Sequence, residues 1–394
     1  MKKFSLYIFF FLSLFLYSCN DKTKTESNVF NINLNQNIET LEPVMSNSIQ
    51  SIWGLSVMME GLVQFDKESN ILPSIASRWE ISNDALTYTF HLKDDVYFHD
   101  NECFKESGGK GRKVTAQDFK YCIERVNNPK TKSRGQWVYR DRIKGAQEYI
   151  DFMSGTADKK VDGISGLKAP DDSTLIIELT KPFSPFLSIL TMTYGYVYPK
   201  EAVEFYGDRF GQNPVGTGPF KFASWNLDQD LNFVKNETYR EKDKEGKSIP
   251  YLDGIKFTFT QSSETEFLDF QNGKYDYHDP SSETYDQITD ENGNLIDSQR
   301  DKYKLNRQPW LQTVFFGMMQ SPDLLGGKEG PFTNNLKLRK ALNYAVDRER
   351  ILKFVLKNRG TSAENGPIPP GMPGFDASIK GYKFDKDKAM MLLS

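Results

Sequence analysis

Apolar and polar positions divide the chain into a leader, a short polar tether and a long region of mixed elements. Phe4 to Leu16 is an almost unbroken hydrophobic run, interrupted only by Ser5 and Ser13 and preceded by Lys2 and Lys3. At ~1.5 Å per residue the run reaches about 20 Å, short of the ~30 Å hydrocarbon layer of a bilayer. It therefore reads as the apolar region of a secretion signal rather than a stable span. Asn20 to Asn28 contains no apolar residue and reads as a solvated tether.

From Val29 onward short strands alternate with helices. Asn31 to Asn35 alternates like a half-buried strand, and Ser48 to Leu62 carries Ile49, Ile52, Trp53, Val57 and Met58 at helical spacing. Thr87 to Leu92 is strand-like after the Asn83-Asp84 turn. Thr115 opens a helix, with Asp118 three residues on to complement the exposed N–H groups. Further strands are expected at Ser173 to Leu179, Ile255 to Thr260 and Thr313 to Met319. Phe220 to Trp225 and Leu231 to Val234 flank Asn226-Leu227-Asp228-Gln229 as a hairpin. Leu338, Ala341, Leu342, Ala345 and Val346 share one helical face, and Asp347 caps a second helix through Leu356. Gly366 to Gly374 is an irregular Pro/Gly loop. Asp385 is an N-cap, and the apolar stripe Ala389 to Leu393 then stops at Ser394 without a stop signal, so a fragment of a longer chain is expected.

A length of 394 residues suits two or three domains. With 38% hydrophobic, 13% aromatic and 26% charged residues, the composition excludes a polytopic membrane protein and a disordered one. The net charge of −3, with no basic block, argues against nucleic acid as a partner. Three His and three Cys argue against multi-His metal catalysis and a disulfide scaffold. Cys103 and Cys122 cannot be paired or separated from sequence.

Catalytic signatures are missing: no Gly-x-Ser-x-Gly, His-Glu-x-x-His, Cys-x-x-Cys or phosphate-binding loop occurs, since Gly326-Gly327-Lys328 is followed by Glu329. His91, His99 and Asp100 could seed a metal site, but Asp94-Asp95 interrupts the strand between them, and satisfied or exposed histidines are the preferred reading. The carboxylate pairs Asp94-Asp95, Asp171-Asp172 and Asp290-Glu291 sit beside turn formers, where solvated side chains are the norm. Pro214-Val215-Gly216-Thr217-Gly218-Pro219-Phe220 could cradle an anion with its N–H groups, or form a rigid turn feeding the next strand; the turn is preferred.

Leu16-Tyr17-Ser18-Cys19 resembles the lipobox of bacterial lipoproteins, which implies lipidation of Cys19 and removal of residues 1–18; an ordinary signal peptide is the alternative. A longer set of stretches follows in order: Leu41-Glu42-Pro43, Met59 to Asp66, Leu72 to Glu80, Thr87 to Leu92, Val96 to Asp100, Val114 to Phe119, Gly216 to Phe220, Pro250 to Asp253, Leu338 to Ala341 and Val346 to Arg348. Together they resemble the family 5 extracellular solute-binding proteins of ABC importers, the oligopeptide- and dipeptide-binding group.

The resemblance implies an α/β, two-lobed periplasmic-binding-protein fold of class II type with an extra subdomain inserted in lobe one. Residues 1–18 would be the signal peptide and 19–28 the tether. Lobe one would span 29–55 and 178–262, the inserted subdomain 56–177, and an incomplete lobe two 263–394. The implied function is capture of short peptides between the lobes and delivery to permease subunits, with no enzymatic activity, no cofactor, no metal and a lipid anchor in a membrane. By alignment, Ser46, Asn47 and Ser48 would lie at the cleft edge and Gln312 and Thr313 would face them from lobe two. Within the family the cargo could instead be a nickel chelate, haem, glutathione or an oligosaccharide. A secreted hydrolase and a surface adhesion or structural lipoprotein are the rival classes.

Overall fold

The computed structural model describes residues 28–307 and 310–394; the leader, the lipobox with Cys19 and the tether up to Ser27 lie outside the described residues. The chain forms two compact units, one ending at His278 and one running from Asp279 to Ser394.

Two four-stranded sheets build the first unit. In one, β1 (Val29–Asn33) runs parallel to β10 (Gly254–Thr258), which pairs antiparallel with β9 (Asp230–Lys235) and through it with β8 (Phe220–Asn226). The β8–β9 turn places Asp228 at φ 61°, and Gln229 N–H donates to Asn226 O at 3.0 Å, so the expected hairpin forms. In the other sheet, β4 (Ala76–Ile81), β5 (Thr87–Leu92), β7 (Thr174–Glu178) and β6 (Leu167–Lys168) lie in that order. Along β5, Tyr88, Phe90 and Leu92 point inward and the intervening threonines and histidine do not. Each such burial contributes roughly 1.5–3 kcal/mol. A small hairpin, β2 (Val63–Phe65) with β3 (Ile71–Pro73), precedes this sheet.

The helix Ala116–Asn127 begins with the capping box expected at Thr115: Thr115 N–H donates to the Asp118 carboxylate at 2.8 Å, and the Thr115 hydroxyl serves the first turn. Its inward face, Phe119, Cys122, Ile123 and Val126, joins one continuous core extending from Leu34 to Phe259. Residues 56–177 and their flanks are therefore consolidated by the same apolar contacts. Cys103 and Cys122 are free thiols and both are buried. The Cys122 Sγ lies 3.4 Å from Tyr198 O.

Two expectations about elements shift. The first helix stops at Ser56 instead of continuing to Leu62. There the Met58 carbonyl accepts from Thr217 and Gly218 N–H (3.1 and 2.9 Å) rather than from a further helical turn. The first unit runs on beyond β10 to His278. The helix Ser263–Gln271 leads into Asp276, whose N–H donates to Asn31 O (2.8 Å) and whose carboxylate accepts from Asn31 N–H (2.7 Å). Finally, Thr313 to Met319 is not a strand: it makes no ladder among the described residues, and Val314 and Phe316 are each 89% exposed. A strand requires a neighbour to satisfy its backbone groups, which apolar content alone does not supply.

The second unit contains the helices Ser282–Ile288, Leu336–Ala345, Arg348–Phe354 and Lys386–Leu393. Asp347 and Asp385 accept from Arg350 and Lys388 N–H, each at 2.9 Å, as their cap positions predict. Helices 336–345 and 386–393 pack through buried Ala341 and Ala389, with Lys388 4.4 Å above the Tyr344 ring.

Candidate functional site

The loop that carries Ser46 to Ser48 begins at Glu42-Pro43, where Pro43 pre-sets the first position of a 3-10 turn ending at Met45. Glu42 receives a two-pronged contact from Arg125 (2.7 and 3.0 Å), and the guanidinium lies 5.5 Å from the Tyr198 ring centre. Ser46 is buried. Its Oγ donates to Pro43 O at 3.0 Å and shares a hydrogen bond with Thr193 Oγ1 at 2.7 Å, while Tyr194 OH donates to Ser46 O at 2.8 Å. Thr193 thus engages the Ser46 hydroxyl and Tyr194 its carbonyl. Ser46 positions the loop.

Asn47 and Ser48 are placed differently. Asn47 is exposed, and its Oδ1 accepts from the Arg134 guanidinium, which also lies 3.6 Å from Glu39. Ser48 caps the helix Ile49–Ser56, accepting from Ser51 N–H at 3.2 Å. That helix leaves Ile49, Ile52 and Trp53 exposed beside the polar pair. This stretch of surface combines the Asn47 amide with an apolar strip, while the Ser48 hydroxyl also donates to Ser51 Oγ at 3.0 Å. Arg134 stands 87 residues from Asn47 in the chain, and no spacing signal joins the two.

Gln312 and Thr313 belong to the second unit. Trp310 Nε1–H donates to Gln312 Oε1, and Thr313 Oγ1–H donates to Pro367 O at 2.8 Å. Beyond Thr313 no main-chain hydrogen bond engages residues 314–319 among the described residues. This extended backbone has donors and acceptors to offer.

The Pro214–Phe220 segment is a buried joint. Thr217 and Gly218 direct their N–H groups at Met58 O, so those groups are not available to an anion. Gly216 O accepts from His99 N–H (2.8 Å), and Gly218 O faces His99 Nε2 (2.9 Å) and accepts from Asn236 Nδ2–H (3.1 Å). A Cβ at Gly216 would lie 2.0 Å from Met58 O, which is why glycine is required there. Burial pushes the His99 pKa down to about 4. Thr217 also donates to Glu60, which pairs with Arg240 at 2.6 and 2.9 Å and accepts from Tyr239 OH at 3.1 Å.

His91 lies 3.3 Å from Glu80 and His99 is held as above. Among the described residues no group of three His, Cys, Asp or Glu is close enough to hold a metal ion. No helix among them is long and apolar enough to cross a membrane.

Comparison with known proteins bears on residues 70–394, which match the family model described as bacterial extracellular solute-binding proteins, family 5, middle region. Haem-binding protein A of Haemophilus influenzae is 30% identical over 340 residues, covering 84% of this chain and 55% of that protein. The dipeptide-binding protein of Escherichia coli is 27% identical over 336 residues, covering 82% and 55% respectively. Among solved structures, the substrate-binding domain of an oligopeptide ABC transporter from Bacillus anthracis superposes with a TM-score of 0.68 at 26% identity, covering 93% of this chain and 66% of that one. The mixed α/β fold is that of the two-lobed periplasmic binding proteins. The chain spans 55% of the length of those two curated relatives.

Proposed function

Because the chain belongs to the bacterial extracellular solute-binding proteins of family 5, we propose that it captures short peptides between two lobes and delivers them to the permease subunits of an ABC importer. The match over residues 70–394 carries this reading. Asn47 and Ser48 would meet the peptide from one lobe and Gln312 and Thr313 from the other, with Ser46 holding the first pair in place. Main-chain hydrogen bonding of an extended peptide makes affinity depend little on side-chain identity. The ligand favours the closed state through contacts that only closure completes. The protein acts as a binder without turnover, and a lipid on Cys19 keeps it outside the cytoplasm.

Calorimetry of the full-length protein with di- to pentapeptide mixtures tests this. Binding at one-to-one stoichiometry with an upward thermal shift is expected. Absence of both heat and shift would refute it, and a response to haem, glutathione or a nickel chelate alone would reassign the cargo. Steady release of amino acids from the peptides would instead favour the hydrolase. For the anchor, Cys19→Ala should move the protein out of the detergent-soluble membrane fraction and abolish acyl labelling; unchanged labelling would exclude Cys19 as the lipidated residue.

A further inference from the structure

Between Pro129 and Lys144 the chain carries six basic residues (Lys130, Lys132, Arg134, Arg140, Arg142 and Lys144), interspersed rather than in a continuous block, against Asp141 alone, in a protein whose net charge is −3. The segment is amphipathic in its folded form. Val138, Tyr139 and Ile143 are fully buried, whereas Lys130, Lys132, Arg134, Trp137, Arg140 and Lys144 are exposed. Backbone contacts fix it to the body: Arg134 N–H donates to Val44 O and Lys144 N–H to Glu178 O, both at 2.9 Å. Arg142 donates to Trp137 O (2.7 Å) and Val138 O (3.1 Å), locking the short helix that presents the indole.

Several of these charges have partners. Arg134 lies near Glu39, Arg140 near Asp141 (3.5 Å), and Lys144 near Glu178 (3.1 Å), which Lys168 also contacts. Counting those neighbours leaves seven cations against three anions, a net of +4 over the segment and its ion-pair partners. Among the described residues Lys130 and Lys132 make no ion pair, and the Trp137 side chain, 54% exposed, has no partner for its indole N–H.

We propose that the exposed side of residues 130–144 docks on an anionic lipid surface, with Trp137 entering the headgroup layer and Lys130 and Lys132 facing the phosphates. Indole is favoured at a membrane interface because one side of it is apolar and the other carries a donor. Lysines without partners are hydrated point charges on flexible stems, suited to a diffuse anionic surface. An acidic protein partner is better met by arginine forks, and the arginines here are already engaged.

The test uses the full-length chain reconstituted in vesicles of phosphatidylcholine with or without phosphatidylglycerol, both containing brominated acyl chains. Quenching specific to Trp137 is the difference between wild type and Trp137→Phe. It should occur only in the anionic vesicles and be abolished by high salt. Each lysine-to-glutamine change at 130 or 132 should lower the docked-to-undocked ratio about fivefold, with no change in thermal unfolding because neither side chain has a partner. Equal quenching in neutral vesicles, no quenching in either, or quenching indifferent to both changes would overturn the proposal. So would a Lys130→Gln, Lys132→Gln double variant that loses uptake in cells although the parent docks on neither vesicle, an outcome that assigns the face to an acidic protein.

Discussion

Acidification tests the buried joint at His99. The imidazole presents Nε2 to Gly218 O at 2.9 Å, and its Nδ1 is buried without a partner. Burial lowers the pKa from 6.5 to about 4, so the ring is neutral in the folded protein over the range where the unfolded chain takes up a proton. A depressed histidine pKa means that the unfolded state binds protons more readily. The stabilisation is therefore complete above 6.5, is lost as pH falls from there toward 4, and levels off below. The full interval corresponds to about 3 kcal/mol. His99→Gln provides the reference, since its amide keeps a donor toward Gly218 O without a titrating group. Urea unfolding of both proteins, followed in the first unit at pH steps across this window, should show wild type losing about 3 kcal/mol relative to the variant. Carboxylates titrate alike in both and cancel in the difference. A difference that stays constant with pH, or a ring that titrates near 6.5 by NMR, would refute the assignment of a neutral buried imidazole.

Other consequences follow from the same joint and its neighbours. Gly216→Ala drives a Cβ to 2.0 Å from Met58 O, and should cost about 3 kcal/mol or more in chemical unfolding; a variant as stable as wild type would contradict the close approach. Arg240→Met leaves the Glu60 carboxyl, 11% exposed, without its arginine, and should destabilise by about 3–5 kcal/mol, whereas adding Glu60→Leu should recover most of that; additive losses in the double variant would deny the coupling. Burial raises the Cys103 thiol to about 11 and the Cys122 thiol further, so iodoacetamide should label neither at neutral pH until denaturant is added. Mass spectrometry showing fast native labelling of either would be incompatible with the buried sites. Thr115→Ala removes the hydroxyl from the capping box and should cost about 1 kcal/mol of stability, readable as a lowered urea midpoint.

What could be read from the sequence divides by the range of the interaction. The capping box at Thr115 and Asp118, the caps at Asp347 and Asp385, and the hairpin around Asp228 depend on residues within four positions of one another, and all form as read. The Thr313–Met319 strand fails because pairing depends on a neighbour that local apolar content does not specify. The Ser46-Asn47-Ser48 loop shows the same division within three residues. Alignment with a family locates the loop, but whether each side chain faces outward is decided by Thr193 and Tyr194, which bury Ser46, and by Arg134, which holds Asn47 at the surface. Long-range ion pairs extend this logic. Glu42–Arg125, Glu60–Arg240, Lys93–Glu241 and Arg112–Glu201 each join residues 56–177 to the chain on either side. Arginine hydrogen bonds hold the Glu201 carboxyl below the usual range, and Lys93 does the same for Glu241. With a shared apolar core beneath them, these pairs make the first unit a single rigid support for Asn47 and Ser48. On the proposed reading, a peptide that met those two groups would find them already oriented, so that less of its binding energy would go into ordering the protein and more would appear as affinity.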